Sequence, residues 1–232
     1  MPVDKAKQVR ATLASLEKMS TKRDRANLAK FGINATKAFG VSMANLQVLA
    51  KRLGPSHELA AGLWDTGWYE ARMLASLIDE ADRVTSAQMD RWCRDFDNWG
   101  ICDTVCFKLF DRAPHAWAKV PPWCKKPQEF TRRAGFALLA SLAGHDKSAP
   151  DAKFLDGLRL VERHAADDRN FVKKGVSWAL RRIGTRNVAL HRESVALARR
   201  LAASTDASER WIGKDALRDL TRPLVTRRLV IS

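Results

Sequence analysis

One stretch of this chain occurs three times at almost constant spacing. Phe130-Thr131-Arg132-Arg133-Ala134-Gly135-Phe136-Ala137-Leu138 aligns with Phe171-Val172-Lys173-Lys174-Gly175-Val176-Ser177-Trp178-Ala179. Both align with Trp211-Ile212-Gly213-Lys214-Asp215-Ala216-Leu217-Arg218, at offsets of 41 and 40 residues. Two looser copies precede them, Tyr69-Glu70-Ala71-Arg72-Met73-Leu74 and Trp99-Gly100-Ile101-Cys102-Asp103. Each copy opens on an aromatic residue, and four of the five carry Arg or Lys three positions later, Cys102 taking that place in the copy from Trp99. A unit of this length cannot bury its own apolar face, so it needs a neighbour of the same kind stacked against it.

The local pattern says what the unit is. Val48-Leu49-Ala50, Leu59-Ala60-Ala61-Gly62-Leu63-Trp64 and Met73-Leu74-Ala75-Ser76-Leu77-Ile78 place apolar residues at three- and four-residue spacing between charges, while β-branched alternation is almost absent. Breakers fall at Gly54-Pro55-Ser56, Thr85-Ser86, Ala113-Pro114, Pro121-Pro122, Ala149-Pro150 and Gly184-Thr185, where helices of ordinary length should end. The expected fold is therefore all-α, and a 40-residue period is that of HEAT-type antiparallel helix pairs. Such pairs stack as a curved α-solenoid in which one helix of every pair lines the concave side. We expect a single domain over 1–232, with an N-terminal helical cap over 1–30 and a basic C-terminal tail over 222–232.

If the register repeats, Arg72, Arg133, Lys174 and Lys214 form a row on one side, giving a basic concave face. Charge supports an anionic partner: 41 Lys+Arg against 26 Asp+Glu give +15, with a pI near 10.1. Residues 101–232 hold 26 of the basic and 14 of the acidic side chains, so later repeats should build most of that surface. The alternative is that these are ordinary solvated helix faces. Eight Trp against a single Tyr, beside so many cations, suggests stacking next to an anion.

Other classes drop out. No run approaches 18 uncharged apolar residues, and Met1-Pro2-Val3-Asp4-Lys5 does not open a signal peptide, so a cytoplasmic protein is expected. Cys93, Cys102, Cys106 and Cys124 form no CxxC pair; Cys102 and Cys106 lie one turn apart, but His115 falls beyond their helix. Buried thiols in a reducing compartment fit better than a metal site. The five histidines show no ligand spacing, and no Gly-rich phosphate loop, HExxH or GxSxG is present.

Two clusters carry chemistry. Trp99 and Asp103 stand one helical turn apart and share a face. Lys174, Trp178 and Arg181, at i, i+4 and i+7, make one stripe, on which Trp178 is either a stacking platform beside cations or a plug between repeats. Glu70, Asp95 and Asp97 read as ordinary surface carboxylates.

The run Asp97-Asn98-Trp99-Gly100-Ile101-Cys102-Asp103, then Arg132-Arg133-Ala134, then Lys173-Lys174-Gly175-Val176-Ser177-Trp178-Ala179-Leu180-Arg181 resembles the AlkD-like DNA alkylation repair proteins, HEAT-like-repeat DNA glycosylases. The similarity runs from about Phe31-Gly32-Ile33 through Phe39-Gly40-Val41-Ser42, His57-Glu58-Leu59-Ala60 and Trp64 to Trp211-Ile212. It implies that Asp103 is the catalytic aspartate, with Trp99 and Trp178 as aromatic walls. It also implies that Arg133 and Arg181 are the family's arginines. Arg72, Arg132, Lys173, Lys174 and Lys214 complete the expected DNA-binding set. Three departures stand out: Gly100 replaces an aspartate often found after the tryptophan, Ser141 replaces a lysine, and a DNA-contacting N-terminal tyrosine has no match.

The implied activity is removal of N3- or N7-alkylated purines from duplex DNA, as a DNA-3-methyladenine/7-methylguanine type of glycosylase in base excision repair. No metal or other cofactor and no obligate protein partner are expected, and the chain is read as a monomer. Alkylation at a ring nitrogen makes the base cationic and a good leaving group. Bond cleavage then moves positive charge onto the sugar. A carboxylate held ionised among Arg and Lys stabilises that charge and can orient water. Indole faces attract a cationic base or sugar, worth about 1–2 kcal/mol where water is excluded. The alternatives are a non-catalytic HEAT-repeat protein that binds damaged or branched DNA, and a scaffold whose groove holds an acidic peptide.

Overall fold

The computed structural model of the chain describes residues 4–225, and all their regular structure is helical. Backbone contacts divide the chain into two compact units, Met1–Pro114 and His115–Ser232.

The first unit holds α1 (Lys5–Lys18), α2 (Lys22–Lys30), α3 (Met43–Leu53), α4 (His57–Asp65), α5 (Tyr69–Ile78), α6 (Ser86–Arg94) and α7 (Trp99–Lys108). Short 3-10 turns lie at Ala81–Arg83 and Phe110–Arg112. Side chains cap most of the helices: Thr21, Ser42, Ser56, Thr85 and Asn98 each accept from the backbone N–H three residues on. Gly54, at φ +73, closes α3 in the left-handed conformation that a side chain would strain. α5 packs against α3, α4 and α7, and α1 lies on α4. The centre is aromatic: Trp64 and Trp92 stack at 3.9 Å and 2°, with Phe96 and Phe110 around them.

The second unit holds α8 (Ala116–Cys124), α9 (Glu129–His145), α10 (Asp151–Arg163), α11 (Asn170–Ile183), α12 (Val188–Ala202) and α13 (Ala207–Leu220). Here the repeat becomes visible as packing. α9, α11 and α13 stand side by side, with α11 against both others, while α8 pairs with α9, α10 with α11 and α12, and α12 with α13. The repeated segments fall on α9, α11 and α13. Phe130 and Phe171 are each the second helical residue, and Trp211 enters α13 one turn later. Their rings extend the equivalence, since Phe130 and Phe171 lie 5.3 Å apart. The helices of a pair nearly touch at glycine: a Cβ on Gly135 would stand 2.6 Å from the Cys124 backbone nitrogen, and one on Gly213 would collide with Ala202.

Most expected boundaries coincide with caps, including Gly54, Ser56, Thr85, Pro150 and Gly184. Pro121-Pro122 is the exception: both lie inside α8 rather than ending it. They sit in its last turn and are exposed, so few amide donors are lost, and the helix stops three residues after the first proline. The basic tail expected over 222–232 falls mostly outside the described residues, which end at Val225. Among the described residues no helix is long and apolar enough to cross a membrane.

Candidate functional site

α7 carries the Trp99–Asp103 pair in the first unit. Asn98 starts the helix, its buried side chain accepting from the Ile101 N–H at 3.0 Å. Trp99 is half-buried, and its indole Nε1 donates to the Phe31 carbonyl at 2.8 Å, which sets the orientation of the ring. Asp103 follows one turn later and is also half-buried. The other side of α7, with Gly100, Ile101, Cys102, Val105 and Cys106, is core.

Gly100 has a structural cause. A Cβ there would stand 2.8 Å from the Tyr69 hydroxyl and 2.9 Å from Ile33, so an aspartate in its place would have to displace both. The Tyr69 hydroxyl is pushed well above its ordinary pKa by burial, with the charges of Glu70 and Asp97 adding to the effect. Burial likewise raises the Cys106 thiol, helped by its hydrogen bond with Cys102 and, among nearby charges, Asp103. All four cysteines are buried as thiols. No group of three or more metal-ligating side chains occurs among the described residues.

The four cations expected to form a row divide by side-chain type. Arg72 is half-buried: it donates to the Asp95 carbonyl at 3.2 Å and its guanidinium lies 5.2 Å over the Trp64 ring. Trp64 in turn donates to the Asp95 carboxylate at 2.7 Å. In the second unit Arg133 is only 6% exposed and donates to the Phe171 carbonyl at 2.6 Å, so it joins α9 to α11 instead of standing in solvent. Lys174 and Lys214, at the equivalent positions of α11 and α13, are exposed. A guanidinium can serve several acceptors inside the protein, whereas an ammonium keeps its hydration.

The remaining expected groups of the second unit lie on or beside these helices. Trp178 is half-buried on α11. Arg181 pairs with Asp219 at 2.5 Å and Asp215 at 3.7 Å, and Ser177 donates to Asp215 at 2.6 Å. The Lys173 ammonium sits 5.2 Å from the Trp211 ring. Arg132 and Arg169 both grip Asp167 at 2.6 Å. Burial alone would raise the Asp167 carboxyl, but the two guanidinium hydrogen bonds outweigh it and hold the group down at about 2. Ser141 is completely buried and bonds the Ala137 carbonyl, a place with no solvent for an ammonium.

Two residues escaped the sequence reading. Glu70, expected at the surface, is 0% exposed: its carboxyl accepts from the N–H groups of Phe39 (2.9 Å), Gly40 (2.7 Å) and Val41 (3.3 Å). The available signal was Gly40, whose φ of +87 makes the turn that aims these amides inward. The other is Phe31, 65% exposed, whose backbone holds Trp99. An exposed aromatic beside a glycine leaves no periodic trace in the sequence.

The paired helices of the second unit are those of a HEAT-like repeat protein, and a solved structure agrees. The fold matches a solved structure described as that of "a new family of proteins related to the HEAT-like repeat DNA glycosylases with affinity for branched DNA structures", with a TM-score of 0.76 and 21% identity, over 90% of this chain and 94% of that one. A designed armadillo repeat protein aligns over 95% and 96% of the two chains with a TM-score of 0.40 and 13% identity. No curated protein sequence matches. The chain belongs to the DNA alkylation repair enzyme family, whose model matches residues 12–220.

Proposed function

We propose that this protein is a DNA glycosylase that releases N3- or N7-alkylated purines from duplex DNA, with Asp103 as the group that stabilises the sugar cation. The observation that carries the reading is the α7 pair: a half-buried carboxylate one turn beyond an indole held in place by the Phe31 carbonyl. The cationic base leaves with the bonding electrons of the N-glycosidic bond and becomes neutral. The positive charge passes to the sugar, where Asp103 opposes it and orients a water that adds at the anomeric carbon and gives up a proton. The Trp99 ring faces the same cation. Lys174 and Lys214 take phosphates, and Trp178 offers a second stacking surface in the second unit. The second unit holds 24 of the 41 basic side chains against 12 of the 26 acidic, which suits the polyanion.

The test is to incubate the protein with methylated duplex DNA and identify the products by chromatography. Free 3-methyladenine or 7-methylguanine, with an abasic site left in the strand, is the expected result. No free base from DNA that the protein demonstrably binds would overturn the catalytic reading. It would leave the second one, a non-catalytic binder of damaged or branched DNA, whose branched-DNA part is supported by the affinity that the structural relative's description states. Competition between a four-way junction and a plain duplex of equal length measures that preference directly.

A further inference from the structure

We propose that Phe31 is a base-stacking wedge, presented by the basic helix α2 and fixed beside Trp99; this rests on the DNA reading above. α2 is unusual within its unit because it buries no residue at all. Four of its nine side chains are cations, Lys22, Arg23, Arg25 and Lys30, against one acid, Asp24. A helix without an apolar face gains little from core packing, so something else must hold it. Two attachments do. At its start the Thr21 N–H donates to the Gly40 carbonyl at 2.8 Å, and Gly40 lies so close that a Cβ would stand 2.6 Å from the Arg25 nitrogen. At its end the Phe31 carbonyl accepts from Trp99 at 2.8 Å.

The turn after α2 then sorts two apolar side chains in opposite directions. Gly32, at φ +70, reverses the backbone, and the Ile33 N–H returns to the Leu28 carbonyl at 2.9 Å. Ile33 is 5% exposed and packs toward Gly100, whereas the Phe31 ring is 65% exposed. A lone exposed aromatic is unremarkable. This one has its backbone pinned to the indole of the proposed site, and the cations that would draw DNA toward it stand on the preceding three turns. A rigidly mounted ring of that kind has a base face as its natural partner, since every base offers a π surface whatever its identity. The proposed role is to stack on, and help unstack, the nucleotide next to the one that meets Asp103.

The experiment uses the full chain, a duplex carrying 2-aminopurine beside the lesion, and the variants Phe31→Ala, Phe31→Trp and the double change Lys22→Gln with Arg23→Gln. Circular dichroism first confirms that each variant is folded, which the exposure of all three positions favours. Loss of base stacking predicts about 5- to 150-fold weaker binding for Phe31→Ala, with the salt dependence unchanged because no charge is removed. Its 2-aminopurine signal should return toward that of free duplex, and Phe31→Trp should restore both. The double charge variant should lower the slope of log K against log salt by about 2, with the probe response retained once bound. If Phe31→Ala binds like the parent and leaves the probe signal unchanged, the wedge is wrong while DNA binding stands. If the parent itself binds no DNA, the broader reading fails and takes this inference with it.

Discussion

Replacing Glu70 by Gln tests whether one buried carboxyl organises the segment that leads from α2 into α3. Its Oε1 accepts from Gly40 and Val41 and its Oε2 from Phe39. Glutamine fits the space and keeps one oxygen, which would stay with Gly40 and Val41. Its amide nitrogen must then face the Phe39 N–H, donor against donor. One half-buried donor loses its acceptor, at about 1 kcal/mol, and two buried bonds to an ionic acceptor become neutral ones at about 1 kcal/mol each, so a loss of about 3 kcal/mol is expected. For a chain of this size that corresponds to a melting temperature lower by about 6–12 °C. Thermal unfolding followed by circular dichroism reads the total. Hydrogen exchange at amides 39–41 reads the place, where protection should fall first. A variant melting within about 2 °C of the parent, with those amides still protected, would refute the argument.

Charge and pH give further tests. Asp167 titrates near 2 in the fold against about 3.9 unfolded, so it contributes about 2 kcal/mol above that range, lost as pH falls from about 5 to 2. Acid titration of the parent should show this loss, and Asp167→Asn should melt earlier at neutral pH while losing less on acidification. Lys174→Gln should weaken DNA binding and reduce the salt slope by about 1 without changing the melting temperature. Arg133→Gln should do the reverse, lowering stability by about 1–3 kcal/mol because the Phe171 carbonyl loses a charged donor inside the protein.

The repeat was legible because each copy must place an aromatic residue and a close-packing position at the same height on its helix. Phe130, Phe171 and Trp211 therefore mark α9, α11 and α13. Caps such as Ser56 and Thr85 were legible for a local reason, being residues whose oxygens satisfy helix amides. The fate of the cations was not. Arg72, Arg133, Lys174 and Lys214 occupy equivalent places in the pattern. Whether such a side chain reaches solvent depends on acceptors supplied from far along the chain, as Phe171 does for Arg133. Glu70 was misread for the same reason, since its three donors lie 29 to 31 residues earlier. For Asp103 the sequence located the residue and its indole neighbour, while its half-burial and the Phe31 anchor came only from the fold.

Asp103→Asn tests the proposed role of this carboxylate most directly, because it removes the negative charge and keeps the shape. Single-turnover release of methylated purine is compared with DNA affinity for the same two proteins. Release by the variant should be slower by at least about 100-fold, with affinity within about threefold of the parent. Equal rates of base release from the two proteins would contradict that role.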